Sequence, residues 1–82
     1  MKYYSTWTIN ERMRAEKPFS DFVGESIDRF LRGDFGTISE ADKQQNQETP
    51  DFQVGAYIFQ ELVKIWIIKE NGYVMVLFPN EY

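Results

Sequence analysis

The chain has 82 residues, no cysteine, no histidine and a formal net charge of −4. A chain of this length has room for one domain, residues 1–82, and the missing residue types exclude thiolate chemistry, disulfides, the common zinc sites and proton transfer by histidine. No apolar run reaches the ~18 residues of a membrane-spanning helix, and the N-terminus lacks the apolar segment of a signal peptide, so we expect a cytoplasmic protein with no membrane partner.

The N-terminal residues predict an arm followed by a short helix. Residues 3–8 combine aromatic and β-favouring side chains, which fit a short additional strand or an irregular arm. A helix is expected over residues 10–16, where Thr8 and Glu11 have the spacing of a capping box and Asn10 is a rival cap. Pro18 disfavours helical geometry at the residue before it and should end or kink this helix.

Residues 18–33 carry the clearest helix signal in the chain. Pro18 is favoured in a first helical turn, and Gly33 is a typical residue just after a helix end. The apolar side chains recur at spacings of three and four: Phe19, Phe22, Val23, Ile27, Phe30 and Leu31. This pattern predicts an amphipathic helix with one apolar face.

The segment after this helix is polar. Ser39 can cap a short helix over residues 40–47, with Asp42 three residues further on. The segment has almost no apolar face, however, and a mobile loop over residues 42–51 is an equal alternative.

The C-terminal part of the chain predicts a sheet. Residues 54–60 and 63–70 are rich in β-branched and aromatic side chains, and Asn71-Gly72 between two such runs is a strong hairpin signal. A type I′ turn would pair Glu70 with Tyr73 and Trp66 with Leu77. We therefore predict an α+β fold, with an antiparallel three-stranded sheet that ends in a C-terminal β-hairpin. The amphipathic helix covers one face, and the N-terminal arm is an open candidate for a fourth strand.

Alternation along the hairpin divides its side chains between two faces. The predicted core face carries Val63, Ile65, Ile67, Val74, Val76 and Phe78. The other face, which we call the second face, is also apolar and is the candidate interaction face: Trp66, Ile68, Tyr73, Met75 and Leu77.

Three explanations for the apolar second face are open. The N-terminal arm with Tyr3, Tyr4 and Trp7 folds over it, two copies pair through it, or it receives a partner. We favour cover by the chain's own arm or first helix, because a small domain needs all the core that it can form.

The short chemical motifs have simpler structural explanations. Residues 32–36 contain Arg-Gly-Asp and Asp-Phe-Gly, but the companion motifs of a kinase are missing and Gly33 is explained as a helix stop. The carboxylates of Asp34, Glu40 and Asp42 lack the spacing of a calcium-binding loop. No glycine-rich phosphate loop is present. We predict no catalytic residue, no cofactor and no metal site, and hence no enzyme activity.

The charges are unevenly distributed. Residues 33–82 hold eight Asp and Glu against three Lys and Arg, which disfavours a nucleic-acid partner. The basic side chains of Arg12, Arg14 and Lys17 lie near the aromatic arm, a combination that can bind single strands. A solvated helix face is the simpler interpretation of that cluster.

Several stretches together are similar to a known family: "INERM", "FVGESIDRFLRGDFG", "GAY", "KIWII" and "LFPNEY". Over nearly the whole chain, the sequence resembles a family of short uncharacterised proteins encoded on bacterial phages, plasmids and integrative mobile elements. This sequence departs from the family pattern at Phe35, where tryptophan is usual, and in the apolar run 73–78. The resemblance implies an accessory protein that binds a host or element factor, and it brings no catalytic residue.

We therefore expect a non-enzymatic protein-binding module of a bacterial mobile element, an accessory or anti-defence factor with a host or element protein as partner. One version is an acidic inhibitor that occupies a basic nucleic-acid site. The alternative is a structural homo-oligomer, in the simplest case a homodimer, with the second face as its interface. Small-molecule or nucleic-acid binding is a minor alternative.

Overall fold

The computed structural model describes residues 1–82 and contains three α-helices and one four-stranded sheet. The strands are β1 (Lys2–Ser5), β2 (Phe52–Phe59), β3 (Val63–Glu70) and β4 (Tyr73–Leu77). The helices are α1 (Trp7–Ala15), α2 (Lys17–Leu31) and α3 (Glu40–Glu48), and a 3₁₀ turn follows at Pro79–Glu81. The α+β class is confirmed. None of the helices has the length and apolar character needed to cross a membrane.

The sheet is mixed, with the strand order β1-β4-β3-β2. The predicted antiparallel meander of β2, β3 and β4 is present. The prediction is incomplete, however, because the N-terminal arm adds β1 as a fourth strand that runs parallel to β4. Lys2 N donates to Gly72 O at 3.3 Å and Thr6 N donates to Val76 O at 3.1 Å. These bonds satisfy carbonyl groups in and next to β4 that a three-stranded sheet would leave at an open edge.

The β3–β4 hairpin has the predicted register. Glu70 pairs with Tyr73 and Trp66 pairs with Leu77. Asn71 and Gly72 have φ values of 48° and 84°, which is the positive-φ pair that a type I′ turn requires. The local turn chemistry therefore decides which side chains share a face.

Helix α1 begins earlier than predicted. Its N-cap is Thr6, whose Oγ1 accepts from Ile9 N at 3.3 Å. The hydroxyl of Thr8, the predicted cap, donates instead to the Glu81 carboxylate. Glu16 has an extended backbone and separates α1 from α2, which carries Pro18 in its first turn as predicted.

The core lies between α2 and one sheet face. Its buried apolar residues are Ile9, Phe19, Val23, Phe30, Tyr57, Phe59, Ile65, Ile67, Val74 and Val76. The ring of Phe19 meets that of Phe59 edge-on, with centroids 5.4 Å apart. Val63 and Phe78, at the margin of the predicted core face, are half-buried. Leu31 was predicted on the apolar stripe but lies half-exposed at the end of α2.

The polar segment forms a helix rather than a loop. Ser39 is the N-cap of α3, and its Oγ accepts from Asp42 N at 3.1 Å. Glu40 and Asp42 place negative charge in the first turn, where the helix dipole favours it.

Candidate functional site

The five residues of the second face lie together on one side of the β3–β4 hairpin, but they are not equally accessible. Ile68 is 6% exposed and Leu77 is 4% exposed, so the chain itself buries both. Trp66, Tyr73 and Met75 are half-buried. The second face is therefore a partly covered surface with three accessible members.

The N-terminal arm does not fold over the second face. Because the arm forms the edge strand β1, its side chains alternate between the two sheet faces. The ring of Tyr4 meets Tyr73 edge-on at 5.9 Å between centroids. Tyr3 has the register of Val74 and lies on the core face, while Trp7 is 74% exposed. Of the three aromatic residues predicted as cover, only Tyr4 contacts the second face.

Helix α3 lies beside the second face, at the outer edge of β2. Asn46 is the one buried residue of this helix, and its amide bonds both backbone groups of Val54 in β2. The adjacent residues 37–39 bind the same edge, where Thr37 N donates to Ala56 O at 2.8 Å. The helix and this segment thus lie along the outer edge of β2 and border the second face there.

An open groove of about 440 Å³ lies beside α3. The apolar part of its floor comes from β2 and β3, with Phe52, Val54, Ala56, Trp66 and Ile68. One wall is formed by residues 37–39 and by Asp42, Gln45 and Asn46 of α3. Trp66 and Ile68 are the members of the candidate interaction face that line the groove, and Tyr73 and Met75 lie outside it.

The opposite wall of the groove is formed by Tyr82. Its ring meets the Trp66 ring edge-on, with centroids 5.7 Å apart. The 3₁₀ turn positions this residue, because the Glu81 carboxylate accepts from Phe78 N at 2.8 Å and from Thr6 Oγ1 at 2.9 Å. Burial acts to raise the pKa of Glu81, but donors from Thr8, Phe78 and Thr6 outweigh it and bring the pKa below its usual value. An ionised carboxylate therefore ties the turn to the start of α1.

The charges of the groove are sparse and of opposite sign. Asp42 lies on the α3 wall, and Lys64 lies at the β3 end of the floor. No group of three or more carboxylates, cysteines or histidines is close enough together to hold a metal ion. The chemistry available in the groove is apolar contact with a few hydrogen bonds and two charges.

The Arg-Gly-Asp-Phe-Gly stretch at residues 32–36 has a structural role. Gly36 forms a bridge with Ala56, and a Cβ at Gly36 would lie 1.9 Å from Ala56 O. The Tyr57 hydroxyl donates to Asp34 O at 2.7 Å. The loop between α2 and α3 is thereby fastened along the outer edge of β2.

Arg29 completes this loop contact. Its Nε donates to Asp34 Oδ2 at 2.7 Å, and its guanidinium lies 5.0 Å from the centre of the Tyr57 ring. The hydrogen bond from Arg29, followed by that from Gly36 N, holds the pKa of Asp34 below its usual value. Burial raises the pKa of Tyr57 well above that of free tyrosine. These shifted groups lie in a structural cluster and none lines the groove.

The basic cluster near the N-terminus is paired with acids that are close to it in the sequence. Arg12 lies 3.6 Å from Glu16, Arg14 lies 3.7 Å from Glu11, and Lys17 lies 3.1 Å from Asp21. Neighbouring carboxylates thus offset these cations, as expected for a solvated helix face.

Comparison with protein-family models, with curated proteins and with solved structures gave no match for this chain.

Proposed function

We propose that this protein is a small, non-enzymatic binding module that holds an apolar side chain of a partner protein against Trp66. The groove beside Trp66 supports the proposal, because it combines an apolar floor with a polar wall and is open to solvent. Apolar pockets with a few polar groups at the rim are typical binding sites. Trp66 is also of a residue type that often dominates binding energy at protein interfaces.

The charge of the chain favours a partner with a basic side chain next to the apolar anchor. The net charge is −4, and α3, which forms one wall, contains Glu40, Asp42 and Glu48 against Lys43. Complementary charge at an interface speeds association and selects partners. A basic residue beside the anchor would approach Asp42, and Lys64 at the other end of the floor would disfavour the reverse orientation.

The proposal of a non-enzymatic role is supported by the positions of the ionisable groups with shifted pKa values. Arg29, Asp34, Tyr57 and Glu81 all act in loop or turn contacts outside the groove floor. A mobile-element origin, a cytoplasmic location and a role as an accessory or anti-defence factor belong to the same proposal. They rest on the resemblance of the sequence and on its composition.

The volume of the groove favours a second candidate, the binding of a small molecule. A volume of about 440 Å³ falls within the range of roughly 300–1,000 Å³ that is usual for small-molecule sites. In contrast, burial of Ile68 and Leu77 within the chain leaves less of the second face for a homo-oligomer.

The two tryptophans provide a matched test, because Trp66 lines the groove and Trp7 is exposed outside it. Immobilised wild-type protein, Trp66→Ala and Trp7→Ala would be compared in capture from bacterial lysate. We expect Trp66→Ala to lose a partner that Trp7→Ala retains. Equal capture by the two variants would contradict the proposal, provided that circular dichroism shows both to be folded.

A purified partner can then be tested directly in the Trp7→Phe variant, in which Trp66 is the single tryptophan. We expect the partner to shift the Trp66 emission to shorter wavelength as it displaces water from the groove. A thermal-shift screen with a metabolite panel separates the second candidate. A compound that stabilises the wild type but not Trp66→Ala would assign the groove to a small molecule.

A further inference from the structure

The outer edge of β1 is an open edge of the sheet. In the parallel ladder with β4, Lys2 N and Thr6 N donate toward β4. Backbone groups alternate in direction along a strand. The N–H and C=O groups of Tyr3 and Ser5 therefore point away from β4, at the outer edge of the sheet.

The opposite edge of the sheet is covered. On β2, Asn46 bonds both backbone groups of Val54, and the Phe35–Thr37 segment bonds both backbone groups of Ala56. Proteins commonly cap edge strands in this way to prevent unwanted pairing. In this chain β2 is protected, whereas Tyr3 and Ser5 present backbone donors and acceptors at the other edge.

The open edge is surrounded by apolar surface. Tyr3 is 51% exposed and Tyr4 is 48% exposed, and the exposed side chains of Met1 and Trp7 flank them. A recess of about 100 Å³ adjoins the core-face side of β1 and is lined in part by Met13 and Ile27. Exposed aromatic groups next to unpaired backbone groups are the usual features of a strand-pairing interface.

We propose that two copies of the chain pair antiparallel through β1 and form a dimer with one continuous sheet of eight strands, twice the four of each protomer. The N–H of Tyr3 donates to the C=O of the partner's Ser5, and the N–H of the partner's Ser5 donates to the C=O of Tyr3. The two-fold axis generates a second, identical pair. Tyr4 then lies directly opposite the partner's Tyr4, at a non-hydrogen-bonded position. Because the same edge serves both copies, the assembly closes as a dimer.

A charge complementarity within the chain favours a second copy as the occupant of this edge. In the proposed register, Lys2 lies opposite the partner's Thr6 on the second-face side. In each protomer the Thr6 hydroxyl donates to the Glu81 carboxylate at 2.9 Å. The Lys2 ammonium of one protomer therefore approaches a carboxylate of the other, and this contact occurs twice in the dimer.

Cysteine cross-linking tests the register directly, because the chain has no cysteine of its own. Opposed residues at a non-hydrogen-bonded position have Cα atoms roughly 4.5 Å apart, which permits a disulfide. We expect Tyr4→Cys to form a covalent dimer under mild oxidation. Tyr3→Cys is the matched control, because the register offsets the two copies of this residue by two positions and a disulfide cannot reach across such a distance.

Two measurements keep the test independent of these variants. Light scattering after size-exclusion chromatography should give the mass of a dimer at high micromolar concentration. Hydrogen exchange should show protection of the Tyr3 and Ser5 amides that rises with protein concentration, while the Tyr4 amide, which faces β4, is protected throughout.

A pair of substitutions at Tyr3 tests the backbone bond itself. Both Tyr3→Ala and Tyr3→Pro remove the tyrosine side chain, but only proline also removes the outward-facing N–H. We therefore expect Tyr3→Pro to lose the dimer that Tyr3→Ala retains.

Three results would overturn the proposal. A monomer at all concentrations would do so, as would equal cross-linking of Tyr3→Cys and Tyr4→Cys. A dimer that Trp66→Ala abolishes and Tyr3→Pro leaves intact would place the interface on the second face. The proposal does not involve the groove, so its failure would leave the proposed function untouched.

Discussion

The side chain of Asn46 binds both backbone polar groups of Val54: Nδ2 donates to Val54 O at 2.8 Å, and Oδ1 accepts from Val54 N at 3.0 Å. Gln53 returns a third bond, from its Nε2 to Asn46 O at 3.0 Å. Helix α3 has no apolar stripe, and Asn46 is its one buried residue. These hydrogen bonds therefore hold a polar helix against an apolar sheet.

Asn46→Asp should test this attachment, because it preserves the shape and the acceptor but replaces the donor with a carboxylate oxygen next to Val54 O. We expect the free energy of unfolding to fall by about 2 kcal/mol or more, the cost of a lost bond and a buried charge. Gln47→Glu makes the same change in charge at an exposed position of α3. That control should stay within about 0.5 kcal/mol of the wild type in urea denaturation. Equal losses in the two variants would show that Asn46 does not attach the helix.

Gly36 should tolerate no side chain. Its φ is +74°, and an added Cβ would meet Ala56 O at 1.9 Å, so the loop would have to leave the β2 edge. We expect Gly36→Ala to lower the free energy of unfolding by about 3 kcal/mol or more. Gly24→Ala is the matched control, since nothing lies within 4 Å of its Cβ position in α2. Gly24→Ala should raise the free energy of unfolding by about 0.5–1 kcal/mol. If Gly36→Ala changed the free energy of unfolding only slightly, the close approach of Gly36 to Ala56 O would be contradicted.

The elements that the sequence predicts well are those set by local chemistry. Asn71-Gly72 determines the turn and hence the register of β3 and β4. Pro18 and Gly33 mark the start and end of α2, and its apolar spacing indicates the buried face. In each case residues within a few positions of one another carry the information.

The parts that the sequence does not predict depend on contacts between distant residues. The parallel pairing of β1 with β4 joins Lys2 to Tyr73, and no local pattern near Lys2 specifies the direction of that pairing. The attachment of α3 depends on one asparagine, which a polar helix gives no reason to single out. No local pattern predicts that Tyr82 lies beside Trp66, since only the fold brings the two rings together.

The sequence likewise predicts one part of the candidate site and misses another. Alternation correctly places Trp66, Ile68, Tyr73, Met75 and Leu77 on one face of the hairpin. Their accessibility differs, and the residues of α3 and Tyr82 that line the groove come from other parts of the chain. The groove is therefore a property of the whole fold, and Trp66 is where the predicted face and the observed groove coincide most clearly.

Tyr57 should make the protein sensitive to alkali. Its buried hydroxyl donates to Asp34 O, and burial raises its pKa well above the ordinary value, which is about 10. A group whose pKa is raised in the folded state contributes stability below its unfolded-state pKa, here pH ~10. This contribution is lost as the pH rises through the folded-state pKa, because the unfolded chain gives up the proton first. Because Tyr57→Phe lacks this hydrogen bond, its free energy of unfolding at pH 7 should be about 1 kcal/mol lower than that of the wild type.

The same variant should show a weaker decline of stability in alkali than the wild type does. Tyr82→Phe is the control, because its ring is largely exposed. Urea denaturation of the three proteins at neutral and alkaline pH gives the comparison. An unchanged alkaline slope in Tyr57→Phe would show that this hydroxyl is not the group whose ionisation unfolds the protein.

Asp34 should make the fold sensitive to acid, whereas Tyr57 makes it sensitive to alkali. The hydrogen bond from Arg29 and then that from Gly36 N hold the pKa of Asp34 below its usual value, which is about 3.9 for free aspartate. A lowered pKa in the folded state contributes stability above the ordinary pKa, and this contribution is lost as the pH falls through the folded-state pKa. The unfolded chain takes up the proton first, and acid therefore favours unfolding.

Asp34→Asn should remove this part of the acid dependence, because the amide keeps an oxygen for Gly36 N but carries no charge for Arg29. Its free energy of unfolding should be lower than that of the wild type at pH 7, and the two values should converge as the pH falls below about 4. Asp51→Asn removes an exposed carboxylate that has no part in the Arg29 cluster, and it should follow the wild-type curve. A difference between Asp34→Asn and wild type that stays constant from pH 7 to acid would mean that the neutral hydrogen bonds, and not the ion pair, fasten this loop to β2.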